Sequence, residues 1–138
     1  MGTGRRLTEG DPKPGDVAVL TIGPVGNDVQ RVIQTLAEEG NPQHHTIFHY
    51  DMRFLKPLDK RILQEVGSRF DRVVTIEDGI RTGGMGSAVL EWMSDHGFAP
   101  RMTRLGMPDR FVEQGTVGQL RHLCGYGYED IKELLGKE

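Results

Sequence analysis

Between Asp71 and Trp92 the chain reads DRVVTIEDGIRTGGMGSAVLEW, a run that leaves little choice of architecture. Val73, Val74 and Ile76 are β-branched residues suited to a strand covered on both faces, and Glu77-Asp78 put charge at its carboxyl end. Gly83, Gly84 and Gly86 then form a turn whose backbone is free to take positive φ and to approach a neighbour closely, and Ser87 is placed to satisfy free amides at a helix start. Ala88, Val89, Trp92 and Met93 recur at helical spacing. Strand, glycine-rich turn and amphipathic helix in that order build the rim of an open α/β sheet, where ligands and neighbouring domains meet.

The rest of the chain repeats the pattern. Asp16 to Ile22 reads as a first strand, closed by Gly23-Pro24, and Val29, Val32, Ile33 and Leu36 supply the buried stripe of a helix over 27–39. Gly40-Asn41-Pro42 ends that helix, and a second strand follows near Thr46 to Tyr50. Pro57-Leu58-Asp59 opens the next helix, with Asp59 as its cap and Leu58 packing on Leu63, and Ile62, Val66 and Phe70 continue the stripe. Arg72 to Ile76 is the third strand, and Pro100 to Leu105 a weaker fourth before the turn at 106–109. Thr116 to Gln119 fits a capping box for a helix carrying Leu120 and Leu123, and a last helix spans about 129–135. The alternation predicts a three-layer α/β fold: a mostly parallel open sheet of four or five strands, helices on both faces, and right-handed crossovers. Residues 1–14, polar and rich in glycine and proline, read as a flexible linker or tail ahead of a domain over 15–138.

Composition narrows the function classes. At 138 residues the chain buries a core without staples, and a net charge of −3 with mixed signs argues against a nucleic-acid footprint. The single cysteine, Cys124, excludes an internal disulfide and fits a reducing compartment, with cytoplasm as the default. No apolar run has the length of a membrane span.

Candidate chemistry concentrates on the rim. Gly83, Gly84, Gly86 and Ser87 at a helix N-terminus suit an anion, but the turn lacks the Lys-Ser/Thr of a phosphate-binding loop and does not match GxGxxG; close packing against another domain or subunit is the plainer use of these glycines. Glu77 and Asp78 are adjacent, so in a strand they point to opposite faces and cannot cooperate as acid and base. A salt bridge or a cap suits them better, with Arg53, just past the second strand, as the natural partner. His44, His45 and His49 share no metal geometry without further ligands and read as surface or partly buried; Cys124 reads as small and buried. No catalytic triad, metal cluster or nucleotide fingerprint emerges, so no catalytic, cofactor-binding or metal-binding residue is assigned.

Four segments, GDVAVLTIGPVGNDV, DMRFLKPLD, VVTIEDGIRTGGMGSAVLEWM and LGMPDRFVEQGT, taken in this order and spacing, resemble the C-terminal domain of the transketolase family of thiamine diphosphate enzymes. The likeness runs from about Gly4 to the C-terminus, and GMPDRFVEQGT points within that family to the 1-deoxy-D-xylulose-5-phosphate synthases rather than to 2-oxo acid dehydrogenase β subunits. The resemblance implies an enzyme that condenses pyruvate with glyceraldehyde 3-phosphate with loss of CO2, using thiamine diphosphate and magnesium, for isoprenoid, thiamine and pyridoxal phosphate synthesis. It further implies a homodimer in which the cofactor motif, a GDG followed by asparagines, lies in domains preceding this one, since the chain has no match to it. On that reading the chain is the third domain, without catalytic residues or bound cofactor and inert alone. Its partners are then the preceding domains and a second subunit, met at the glycine turn with Arg53, Glu77 and Asp78. The competing readings are a free-standing anion-binding regulatory module, and the C-terminal part of a 2-oxo acid dehydrogenase β subunit.

Overall fold

The computed structural model describes residues 4–53, 58–80, 84–107, 121 and 124–137. In chain order the described elements are β1 (Arg5–Arg6), β2 (Val17–Ile22), α1 (Val25–Glu38), a 3-10 turn (Pro42–Thr46), β3 (Ile47–Asp51), α2 (Lys60–Arg69), β4 (Arg72–Ile80), α3 (Met85–Asp95), β5 (Arg101–Met107) and α4 (Tyr128–Leu135). The capping box expected at 116–119, with Leu120, Leu123 and Gly83, lies outside the described residues.

The five strands form one sheet in the order β1-β3-β2-β4-β5, with β2, β3, β4 and β5 mutually parallel and β1 antiparallel on the β3 edge. Alternation along each strand divides the core. Val17, Val19, Ile47, Val74 and Ile76 face α1 and α4, whereas Ala18, Leu20, Phe48, Tyr50 and Val73 face α2 and α3. The expected α/β architecture with helices on both faces is therefore what the chain adopts.

Local signals behave as their chemistry dictates. Asp59 caps α2, its Oδ1 accepting from the amides of Arg61 at 3.0 Å and Ile62 at 3.4 Å, while Leu58 packs into the cluster that contains Leu63. Gly40 takes φ +73° after α1, the left-handed conformation that glycine tolerates best. The helix α1 begins at Val25, ahead of the expected residue 27, because Pro24 adopts helical φ and ψ of −60° and −19° and so starts the helix rather than merely ending the strand.

One boundary departs from expectation. The tail foreseen over 1–14 is not free where it is described. Arg5 and Arg6 pair with Asp51 and Tyr50, the Leu7 amide donates to the His49 carbonyl at 2.8 Å, and Thr8 Oγ1 accepts from the His49 amide at 2.9 Å. Arg6 also lies 3.6 Å from the Glu65 carboxylate, which accepts the Tyr50 hydroxyl. The segment covers the edge of β3, and sheet edges that are covered in this way no longer offer unpaired backbone groups.

Candidate functional site: the carboxyl rim between β2 and β4

From β2 the chain crosses through α1 to β3 on one side; from β4 it crosses through α3 to β5 on the other. The two connections diverge at the carboxyl ends of β2 and β4, where Ile22 lies opposite Glu77. In open α/β sheets such a divergence opens the crevice used for ligands and contacts. Glu77, Gly84, Gly86, Ser87, Thr21 and Gly26 all gather at this rim.

Glu77 dominates it. The side chain is 7% exposed, and its two oxygens accept from the first amides of α3, Oε1 from Met85 at 3.0 Å and Oε2 from Gly86 at 2.8 Å. The carboxylate satisfies donors that have no partner within the helix and sits at the positive end of the helix dipole. Glu77 therefore acts as the cap that sequence reasoning left as one of two options, and its partner is the helix rather than Arg53. Ser87 is not the cap: its Oγ accepts from Arg104 Nη1 at 3.3 Å. The Asp78 side chain is outside the described residues.

The glycines serve space rather than unusual dihedrals. Gly84 has φ −89° and ψ −163°, an extended conformation open to any residue. Gly86 lies so close to the sheet that a Cβ there would stand 2.9 Å from Thr75 Oγ1 and 3.2 Å from the Arg104 side chain. The close approach expected of this turn is made, but against the domain's own strands. Thr75 Oγ1, sealed under it, finds no hydrogen-bond partner among the described residues. A parallel contact starts α1, where a Cβ on Gly26 would meet Thr21 Oγ1 at 2.9 Å.

Beneath the α1 side of the rim lies a polar trio, His49 and Thr21 buried and Gln30 exposed, that the sequence did not reveal. His49, fully buried rather than at the surface, accepts at Nδ1 from Gln30 Nε2 at 2.6 Å and donates from Nε2 to Thr21 Oγ1 at 2.8 Å. Burial lowers its pKa from 6.5 to about 4, so the imidazole is neutral near pH 7. The available signal was the run Ile47-Phe48-His49-Tyr50, too continuously apolar for a strand with a wet face. Neither His44 nor His45 joins it, and their rings instead contact each other at 3.8 Å. Cys124 is half-buried against the α1 and α4 core.

Arg53 stands at the end of β3 with its side chain exposed and no ion pair to Glu77. Among the described residues no group of three His, Cys, Asp or Glu side chains is arranged to hold a metal. No described helix is long and apolar enough to cross a membrane.

This arrangement decides what the turn can bind. An anion seated on the α3 amides would have to displace Glu77 and leave its charge in a buried place. Among the described residues the Met85 and Gly86 amides are already taken by the domain's own carboxylate.

Comparisons with known proteins agree with that architecture. A family model described as the transketolase C-terminal domain matches residues 4–131. The chain is 46% identical over 138 residues to the 1-deoxy-D-xylulose-5-phosphate synthase of Parabacteroides distasonis, covering 100% of this chain and 21% of that protein. It is 49% identical over 136 residues to the synthase of Bacteroides thetaiotaomicron, covering 98% of this chain and 20% of that one. The chain thus spans about a fifth of the length of the curated relatives it matches. Among solved structures, one titled split gene transketolase, inactive beta4 tetramer, superposes with a TM-score of 0.77 at 30% identity, over 97% of this chain and 41% of the other. The transketolase of Campylobacter jejuni shares the fold with a TM-score of 0.58 at 14% identity, over 99% of this chain and 19% of that one.

Proposed function

The chain belongs to the transketolase C-terminal domain family, and from that premise we propose that it is the C-terminal domain of a thiamine diphosphate-dependent synthase. The reaction is the condensation of pyruvate with glyceraldehyde 3-phosphate, releasing CO2 and forming 1-deoxy-D-xylulose 5-phosphate, in the cytoplasm and as a homodimer. The observation that carries the proposal is the likeness of the whole chain, end to end, to one fifth of each curated synthase. A 2-oxo acid dehydrogenase β subunit is disfavoured by the same observation.

Thiamine diphosphate with magnesium carries the chemistry of such enzymes, and the protein supplies position and electrostatics. The described residues of this domain do not fit that cofactor. The α3 amides that would suit a diphosphate are already bonded to the Glu77 carboxylate, whose negative charge would repel it. No step of the reaction is routed through this domain. Its work is structural: it presents the carboxyl rim to the preceding domains and to a second subunit. The solved relative whose title calls it an inactive tetramer supports the idea that a partial chain assembles without catalysing.

The test is an assay of the polypeptide in which this chain follows its preceding domains, supplied with thiamine diphosphate and magnesium. Release of CO2 that depends on both pyruvate and glyceraldehyde 3-phosphate is expected, and the 138-residue chain alone should release none. A longer polypeptide that folds and binds thiamine diphosphate yet acts only on other substrates would refute the assignment.

A further inference from the structure

We propose that Arg53 is the anchor through which this domain grips the polypeptide leading into it, by pairing with an Asp or Glu carboxylate of the preceding domain. The proposal rests on the reading of the chain as a C-terminal domain. What carries it is the geometry of one corner of the sheet.

Strand β1 runs antiparallel to β3 with Arg5 opposite Asp51, so Gly4 lies over the carboxyl end of β3. A Cβ on Gly4 would stand 2.9 Å from the Asp51 carbonyl oxygen and 3.2 Å from Met52 Cα. The Gly4 amide is fixed there by Asp59 Oδ2 at 3.0 Å. Gly4 therefore stands against the backbone of Met52, the residue before Arg53. In relatives about five times as long, most of the polypeptide lies outside the matched fifth.

At that corner Arg53 is held in an uncommon conformation. Its φ is +62°, and it is the one non-glycine residue with positive φ among the described residues. Left-handed backbone is unfavourable for an L-residue that carries a Cβ. Two contacts impose it: the Arg53 amide donates to Asp51 Oδ1 at 3.0 Å, and fully buried Met52 donates its amide to the Thr21 carbonyl at 2.8 Å. The backbone is pinned while the side chain projects into solvent.

The neighbouring carboxylates have partners. Glu77 is bound to α3, Asp59 to the amides of Gly4, Arg61 and Ile62, and Asp51 to Arg53's own amide. Among the described residues the Arg53 guanidinium has none. Among the described residues the corner thus presents Arg53 on a pinned backbone, close to Gly4 and to the exposed Arg5, as positive charge without a carboxylate partner. A planar guanidinium recognises a carboxylate by paired hydrogen bonds, which lysine does less well.

The test compares Arg53→Glu, Arg53→Gly and Arg53→Lys in the longer polypeptide, read as thermolysin cleavage at the junction just ahead of residue 4. Glycine keeps the left-handed backbone without the charge. Cleavage through the opened junction follows the open population, so Arg53→Glu and Arg53→Gly should speed it roughly tenfold, with Arg53→Lys falling between them and the parent. The 138-residue chain carrying Arg53→Gly should melt no lower than the parent chain. Unchanged cleavage in both Arg53→Glu and Arg53→Gly overturns the proposal, as does a large loss of melting temperature confined to the chain itself. Protection of the parent junction by added inorganic phosphate would also overturn it, because the occupant would then be a free anion. If the longer polypeptide binds thiamine diphosphate normally while its junction ignores Arg53, only the anchor fails. If no preceding domains exist, the proposed function fails with it.

Discussion

Glu77 and His49 are both buried beneath the rim, each held by its own hydrogen-bond partners. Glu77 is bound as a carboxylate by two backbone amides, and removing it leaves those amides buried without acceptors. Glu77→Ala should destabilise the chain by about 2 kcal/mol, the scale of a lost helix cap with orphaned donors, as measured by urea unfolding. The same variant opens the α3 amides, so inorganic phosphate should raise its melting temperature and leave the parent's unchanged. A phosphate-dependent rise in the parent would revive the anion-sensor reading. His49 is bound as a neutral base, and its folded pKa of about 4 lies below the ordinary 6.5. Between those values the unfolded chain holds more protons than the folded one, so stability is complete above about pH 6.5 and declines as pH falls toward 4. Integrated over that window the loss is on the order of 3 kcal/mol. Urea unfolding at pH 7 and pH 5 should show it, and His49→Gln should flatten the difference.

Helices α1 and α3 each begin with a glycine pressed on a threonine hydroxyl of the preceding strand, Gly26 on Thr21 and Gly86 on Thr75. Gly86→Ala should therefore cost about 1–3 kcal/mol, the usual penalty of overpacking, and Thr75→Ala should relieve part of it in the double variant. Additive losses in a thermal-melt cycle would mean that the two do not touch as described. These contacts mark the limit of what was legible in the sequence. Strands β2 to β5, helices α1 to α3 and the Asp59 cap were readable because their signals are local: alternation, helical period and a capping residue beside the amides it serves. The Glu77 cap was legible only as one of two options, because carboxylate and amides are eight or nine residues apart and meet only once β4 and α3 are packed. Strand β1, two residues without periodicity, exists only through its pairing to β3. The third strand was expected to end at Ile76, whereas β4 runs on to Ile80 through an irregular register with β5 between Glu77 and Ile80. The predicted tie between Arg53 and Glu77 failed for the same reason: proximity of strand ends was foreseen, but not the competing helix amides.

At the scale of the molecule, the sheet order gathers Thr21, Glu77 and Arg53 at the carboxyl edge and satisfies Thr21 and Glu77 internally. The proposed role of that edge is a surface for neighbours rather than a centre for reaction. That division of labour also fits a chain that spans a fifth of its curated relatives. The most direct measurement is titration calorimetry with thiamine diphosphate and magnesium, run on the 138-residue chain and on the polypeptide that carries its preceding domains. Saturable binding is predicted for the longer polypeptide and no heat above dilution for the chain alone. Binding by the isolated chain as tight as by the longer polypeptide would contradict it.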